Sequence, residues 1–284
     1  MASERQGADS SGAQSIERSM ALLLIVAKGR SAGAGLAEAA ATTGLTRPTA
    51  RRLLLALIRA GLVEQDKATR RYFLGPECYA LGNIAAGRYG IHRLAMDSLQ
   101  RLAELSQDTA FITVRNGAHG VCLERREGSF PIRSYVLAAG DRHPLGVSAG
   151  TLAILAALPD GEVETVLRSA GRAFSERYPR LNPEVIRGLV ADTRRNGYAL
   201  NPGLVFPGSW AVGCPIRDPD GEPIAALSIA AIESRMTVEH QKQLAVAMRE
   251  EARLIERRLE EMRAQSATAA PPRKRVARAA AGMR

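Results

Sequence analysis

Residues 44–62, GLTRPTARRLLLALIRAGL, constrain the chain more than any other stretch. Thr46 is placed to cap a helix, Pro48 falls in the first turn where its missing N–H breaks no intrahelical bond, and Gly61 is placed to end the helix. Ala50, Leu53, Leu54, Leu57 and Ile58 recur at helical spacing and form one apolar stripe, so Arg47, Arg51 and Arg52 must face elsewhere. A stripe of that kind needs partner elements to bury it.

The flanking residues supply candidates. Ile16, Met20, Leu23, Leu24 and Ala27 mark a helix that a Gly-rich break ends at residues 29–35, and LAEAAATTG reads as a short helix from Leu36 to Gly44. Beyond Gly61, LVEQDKATRRYFLG reads as two short strands around a polar DKAT turn, with Arg70 and Arg71 on the return. Three helices followed by a hairpin make a winged helix-turn-helix.

Residues 76–107 read as a helical connector into a second unit, where strands and helices mix. TAFITVRNG, HGVCLERREG, FPIRSYVLA, YALNPG, WAVGCPIRD and EPIAALSIAAI read as strands. VSAGTLAILAAL, GEVETVLRSAG, PEVIRGLVADTRRNG and residues 238–263 read as helices. Without a βαβ rhythm this predicts an α+β architecture with a mostly antiparallel sheet. The expected division is a disordered leader at 1–14, a winged helix at 15–75, a linker helix at 76–90, a second domain at 91–263 and a basic disordered tail at 264–284.

The formal net charge of +10 lies wholly in the two ends, because Lys/Arg and Asp/Glu balance over residues 91–263. That distribution suggests that the ends meet a polyanion while the middle does something else. The cysteines Cys78, Cys122 and Cys214 are odd in number and widely spaced, there is no signal peptide, and no apolar run approaches the ~20 residues of a bilayer span. The expectation is a soluble cytoplasmic protein.

In a helix-turn-helix the second helix enters the major groove by its N-terminal end, so residues there must reach bases and phosphates. Thr46, Arg47, Thr49, Arg51 and Arg52 occupy that end, and Arg70 and Arg71 would track the backbone or the minor groove beside it. One motif competes: GVSAG at 146–150 matches the G-x-S-x-G elbow of serine hydrolases, with Asp192 or Asp218 and then His240 in triad order. The preceding GDRHPL is polar and carries a proline where an elbow needs a buried strand, so the alternative reading, a hydrolase using Ser148, is the weaker one. The turn reads better as a small-residue helix N-terminus that leaves room for an anionic ligand. The four histidines show no metal-ligand spacing, and no P-loop or dinucleotide fingerprint occurs, so neither metal, cofactor nor catalysis is expected.

Taken in order, GLTRPTARRLLLALIRAGLVEQDKATRRYFLGPECYALG, HPLGVSAGTLAILAAL, GYALN and PIRDPDGEPIAALSIAAIESR resemble the IclR family of bacterial transcriptional regulators over about residues 15–263. The resemblance implies a DNA-binding winged helix, a dimerising linker helix and a GAF/PAS-like effector-binding domain for a small organic or aromatic acid. It also implies a homodimer or dimer of dimers on a palindromic operator. Carried over position by position, the effector pocket comprises Ile132, Tyr135, Ser148, Ala149, Gly150, Asn201, Ser209, Ala211, Ser228 and Ala230. Where glyoxylate- or pyruvate-sensing relatives have an aspartate, a cysteine and a second serine, this chain has Asn201, Ala211 and Ala230, and Leu152 replaces a common lysine. A pocket with fewer polar groups and a tyrosine should favour a larger, less polar acid over a two- or three-carbon one.

Overall fold

The computed structural model describes residues 6–88, 90–132 and 137–269. Its N-terminal elements are α1 (Gln6–Lys28), α2 (Leu36–Thr43), α3 (Arg47–Arg59), β1 (Val63–Gln65) and β2 (Tyr72–Leu74). The helix begins well inside the stretch expected to be a disordered leader. Its small residues are adequate helix formers once the apolar turns behind them nucleate it.

The core of this unit is Leu22 and Val26 of α1, Ala39 and Ala40 of α2, and Ala50, Leu53, Leu54 and Leu57 of α3, closed by Val63 and Tyr72. The α3 stripe is therefore the packing face. On α1 the expected register is corrected: Ile16, Met20 and Leu24 are exposed, and the buried row is the one through Leu22 and Val26. Gly44 makes the sharp turn between α2 and α3. Its φ is 67°, and the Leu45 N–H reaches back to the Ala40 carbonyl at 3.0 Å, a closure that favours glycine. In the hairpin Val63 pairs with Leu74 and Gln65 with Tyr72, and Ala34 adds a bridge to Tyr72 that the Gly-rich break did not announce.

Two helices follow, α4 (Pro76–Arg88) and α5 (Ile91–Ser106), over the stretch read as a helical connector. The second unit is a six-stranded antiparallel sheet of β3 (Thr109–Asn116), β4 (His119–Arg126), β5 (Arg142–Pro144), β6 (Ala199–Pro202), β7 (Ser209–Arg217) and β8 (Pro223–Ile232), in the order β5-β4-β3-β8-β7-β6. One face packs on α5 and α9 (Val238–Ala269). The other packs on α6 (Ala149–Ala156), with α7 (Asp160–Arg177) and α8 (Pro183–Asn196) around it.

Burial on both faces explains why the central strand β8 is an almost unbroken apolar run. Leu227, Ile229 and Ala231 enter the α5/α9 core, whereas Ala226, Ser228 and Ala230 face the α6 side. Two expectations are corrected. Residues 130–132 and 137–138 carry no strand, because the Phe130 N–H bonds the Gln107 carbonyl at 2.9 Å and the Arg235 guanidinium lies 4.0 Å over its ring, holding the segment at the α5–β3 turn. The ladder continues instead through β5, in the GDRHPL stretch read as polar and proline-bearing; at a sheet edge Pro144 forfeits no interior bond. The last helix also runs to Ala269, past the expected start of the disordered tail at 264, and residues 270–284 lie outside the described residues.

Candidate functional site

The α3 N-terminus is built locally. Thr46 stands at the N-cap with an extended backbone, its hydroxyl accepts the Thr49 N–H at 3.4 Å, and it donates to the Thr49 hydroxyl at 2.9 Å. With Ala50, Leu53 and Leu54 turned inward, Arg47, Arg51 and Arg52 stand exposed on the opposite face, and among the described residues none of them has a hydrogen-bond or ion-pair partner. Three free guanidinium groups at the positive end of a helix dipole form an anion-seeking surface.

The hairpin arginines, expected to act together, separate. Asp66 accepts the Thr69 N–H and hydroxyl at 2.6 Å each, which holds its carboxyl below the usual range, and closes the turn that carries Arg70 at φ 59°. Arg70 remains exposed. Arg71 turns inward, donating to the Ala32 and Gly33 carbonyls at 2.6 and 2.8 Å with Glu38 at 3.6 Å. These bonds fasten the wing to the α1–α2 turn and leave the Arg71 side chain 41% exposed.

In the second unit a cavity with an empty volume of about 430 Å³, mouth included, lies between the α6 N-terminus and the sheet. Phe111, Ser228 and Ala230 line it from buried positions on the central strands, Ser148 and Ala149 from the α6 turn, and Val205, Phe206, Ser209 and Ala211 from the β6–β7 side. Gly213 permits this arrangement: a Cβ there would sit 2.5 Å from the Ala149 carbonyl oxygen, so only glycine lets β7 approach the helix so closely.

Of the pocket residues expected from sequence, Ser148, Ala149, Asn201, Ser209, Ala211, Ser228 and Ala230 line this cavity. Gly150 lies just behind the lining, where a Cβ would come within 3.4 Å of the Ser228 and Thr113 hydroxyls; Thr113 Oγ1 is buried without a partner among the described residues. Ile132 is 58% exposed and outside the cavity wall, a correction that follows from the tethering of its segment through Phe130. Tyr135 lies outside the described residues. Asn201 serves the backbone: its amide donates to the Val147 carbonyl at 2.7 Å and its carbonyl accepts the Leu204 N–H at 2.9 Å. An aspartate could not make the first of these bonds.

The sequence reading missed Phe111, Leu137, His143, Val205 and Phe206. Strand parity could have found Phe111, two residues before the inward-facing Thr113. His143 is 8% exposed, bonds the Tyr178 hydroxyl through Nδ1 at 2.9 Å, and is pushed down to about 4, first by burial and then by Arg177. It is neutral at physiological pH. Among the described residues no Lys or Arg lines the cavity, and the lining groups there that can meet a negative charge are hydroxyls and the amides that open α6.

The rival catalytic constellation is not assembled. Ser148 and Thr151 form a capping box, Asp192 is paired with Arg195, and the Asp218 carboxylate accepts the Asp220 and Glu222 N–H groups at 3.0 and 2.9 Å. His240 Nε2 is buried without a partner among the described residues. Among the described residues no group of His, Cys, Asp and Glu could hold a metal, and no helix is long and apolar enough to cross a membrane.

Residues 15–67 match the IclR helix-turn-helix domain, and residues 84–257 match the C-terminal domain of the bacterial transcriptional regulator IclR. Similar proteins include the glycerol operon regulatory protein of Streptomyces coelicolor, 29% identical over 248 residues that cover 87% of this chain and 96% of that protein. KipR, an HTH-type transcriptional regulator of Bacillus subtilis, is 26% identical over 79% of this chain and 89% of its own. Among solved structures, an IclR regulator from Silicibacter aligns with TM-score 0.72 at 26% identity, over 86% of this chain and 96% of that one. An IclR homolog from Microbacterium hydrocarbonoxydans, complexed with 4-hydroxybenzoate, aligns with TM-score 0.70 at 23% identity, covering 87% and 99%.

Proposed function

This chain belongs to the IclR family of bacterial transcriptional regulators, and we propose that it reads a palindromic operator through the α3 N-terminus and answers to an aromatic or similarly apolar organic acid. The DNA-binding assignment to Thr46, Arg47, Thr49, Arg51 and Arg52 is carried by one observation. Three exposed, unpartnered arginines stand on a helix whose opposite face is locked in the core. Arg70 joins them from the wing.

A palindromic site needs two copies of α3, which calls for a homodimer or dimer of dimers. Apolar side chains support such an assembly: Tyr79, Leu81 and Ile84 on α4 are 76%, 50% and 76% exposed, and Ile16, Met20 and Leu24 on α1 are exposed as well. Clustered exposed apolar side chains of this size mark contact surfaces.

The effector class follows from the cavity wall. Phe111, Leu137, Val205, Phe206 and three alanines offer apolar contact, while Ser148, Ser209 and Ser228 supply hydroxyls. A carboxylate would face the amides at the start of α6, and the ligand's body would lie on Phe111 and the alanines. Calorimetry with benzoate, 4-hydroxybenzoate, glyoxylate and pyruvate tests this. The aromatic acids should bind at least about tenfold tighter, since ~1.4 kcal/mol corresponds to roughly two buried methylenes. Tight glyoxylate binding with none to the aromatic acids overturns the assignment.

Arg70 offers a separate check. A left-handed backbone costs a non-glycine residue about 1–2 kcal/mol, so Arg70→Gly should leave the hairpin as stable or more so. Operator affinity should nevertheless fall, with the salt dependence reduced by about one phosphate contact. Fluorescence anisotropy across a salt series reads both effects, and unchanged affinity would remove Arg70 from the contact set.

A further inference from the structure

We propose that the cleft at the β5 edge, walled by His119, Arg142, Pro144, Arg177 and Tyr178, binds a small dianion, a phosphate or a dicarboxylate, and touches the effector cavity through Tyr178 and His143. The cleft has a volume of about 260 Å³, room for a small metabolite.

Its walls are basic and unneutralised. Arg142 and Arg177 are exposed, come from different elements, and have no acidic partner among the described residues. Arg177 is favoured locally by its place in the last turn of α7, but Arg142, on an edge strand, has no such account. The acid next to Arg142 in sequence is already engaged. Asp141 accepts the Ala138 N–H at 2.8 Å and faces Arg30 at 3.6 Å. Two guanidinium groups converging on one cleft repel each other until an anion arrives, and their forked donors suit a tetrahedral or two-headed anion better than a monocarboxylate.

The wall between this cleft and the inner cavity is two side chains thick. Tyr178 is 5% exposed, its ring lies 5.7 Å from the Arg177 guanidinium carbon, and its hydroxyl meets His143 Nδ1 at 2.9 Å. His143 lines the inner cavity. An anion beside Arg177 therefore offsets one of the two influences that hold His143 neutral. The link to ligand response rests on the inner cavity being the effector site; the anion site itself does not.

The test is calorimetric titration of the full chain with inorganic phosphate, succinate and acetate, together with ¹⁵N spectra of the histidine rings. Phosphate or succinate should bind saturably, and acetate at least about tenfold more weakly. Whichever dianion binds more tightly identifies the source. Arg142→Ala with Arg177→Ala should abolish binding and leave the melting curve unchanged, whereas Arg180→Ala, two residues beyond Tyr178, and the Arg142→Lys, Arg177→Lys pair should retain most of it. The His143 ring signals should shift on phosphate addition in the wild type and not in Tyr178→Phe, which still binds phosphate. Non-saturating binding, equal affinity for acetate, or undiminished binding in the double alanine variant overturns the proposal. These outcomes hold whether or not an aromatic acid binds the inner cavity, so failure of one reading is distinguishable from failure of the other.

Discussion

Replacing Arg51 and Arg52 together by alanine should abolish specific operator binding while the protein stays folded. Both side chains are exposed on α3, and the buried row Ala50, Leu53, Leu54 and Leu57 is untouched. Exposed substitutions of this kind change stability by about 0.5 kcal/mol or less, and alanine is at least as good a helix former as arginine. Binding stands to lose far more. Each bidentate contact to a base is worth about 1–3 kcal/mol of discrimination, so two of them correspond to a loss of roughly a hundredfold or more, doubled in free energy by a two-fold complex. Arg59→Ala is the control: it removes one arginine charge from the other end of the helix and should leave sequence preference intact. An undiminished gel shift from the double variant would refute the assignment of α3 as the reading helix.

The second large effect is expected from Ala230→Leu. Ala230 is 2% exposed, packs with Phe111, Cys122 and Leu137, and opens onto the cavity between β8 and α6. Three added carbon atoms point toward the cavity, at an overpacking cost of about 1–3 kcal/mol. The space they occupy is the ligand's. Affinity for the aromatic acid should fall by at least about tenfold, and operator affinity should become the same with and without ligand. An effector shifts DNA binding only by its differential affinity for the two protein states, so a variant that cannot hold it cannot respond. A wild-type response in Ala230→Leu would move the effector site elsewhere. Ala211, which pairs with Ala230 across β7 and β8, provides the companion position.

The helix-turn-helix was readable because each of its elements announces itself locally: a stripe of period 3.6, a Thr cap, and glycines where the chain turns. The long strands were readable for a similar reason, since β7 and β8 are apolar runs joined by a DPDG turn. Legibility ended where tertiary contacts decide. Nothing near Arg71 in the sequence shows that its guanidinium will meet carbonyls 38 and 39 residues away. β5 is three residues long, Arg-His-Pro, and becomes a strand only because β4 offers it an edge. The register of α1 was misread because its apolar residues crowd both sides of the helix, and the choice between the Leu22 and Met20 rows is made by α2 and α3. The cavity was divided in the same way. Its alanines and serines came from resemblance, while His143 depends on Tyr178, 35 residues distant.

Two copies of α3 should read successive major grooves, with a ligand changing how they sit. A hydroxyl-radical footprint on an operator selected from genomic fragments, taken with and without the aromatic acid, tests it most directly. The account predicts two protected patches centred about one helical turn, roughly 34 Å, apart, with protection lost from both in the Arg51→Ala, Arg52→Ala variant and altered by the acid in the wild type. Continuous protection that follows salt and not sequence would instead describe a nonspecific coat driven by the basic ends of the chain, and would contradict it.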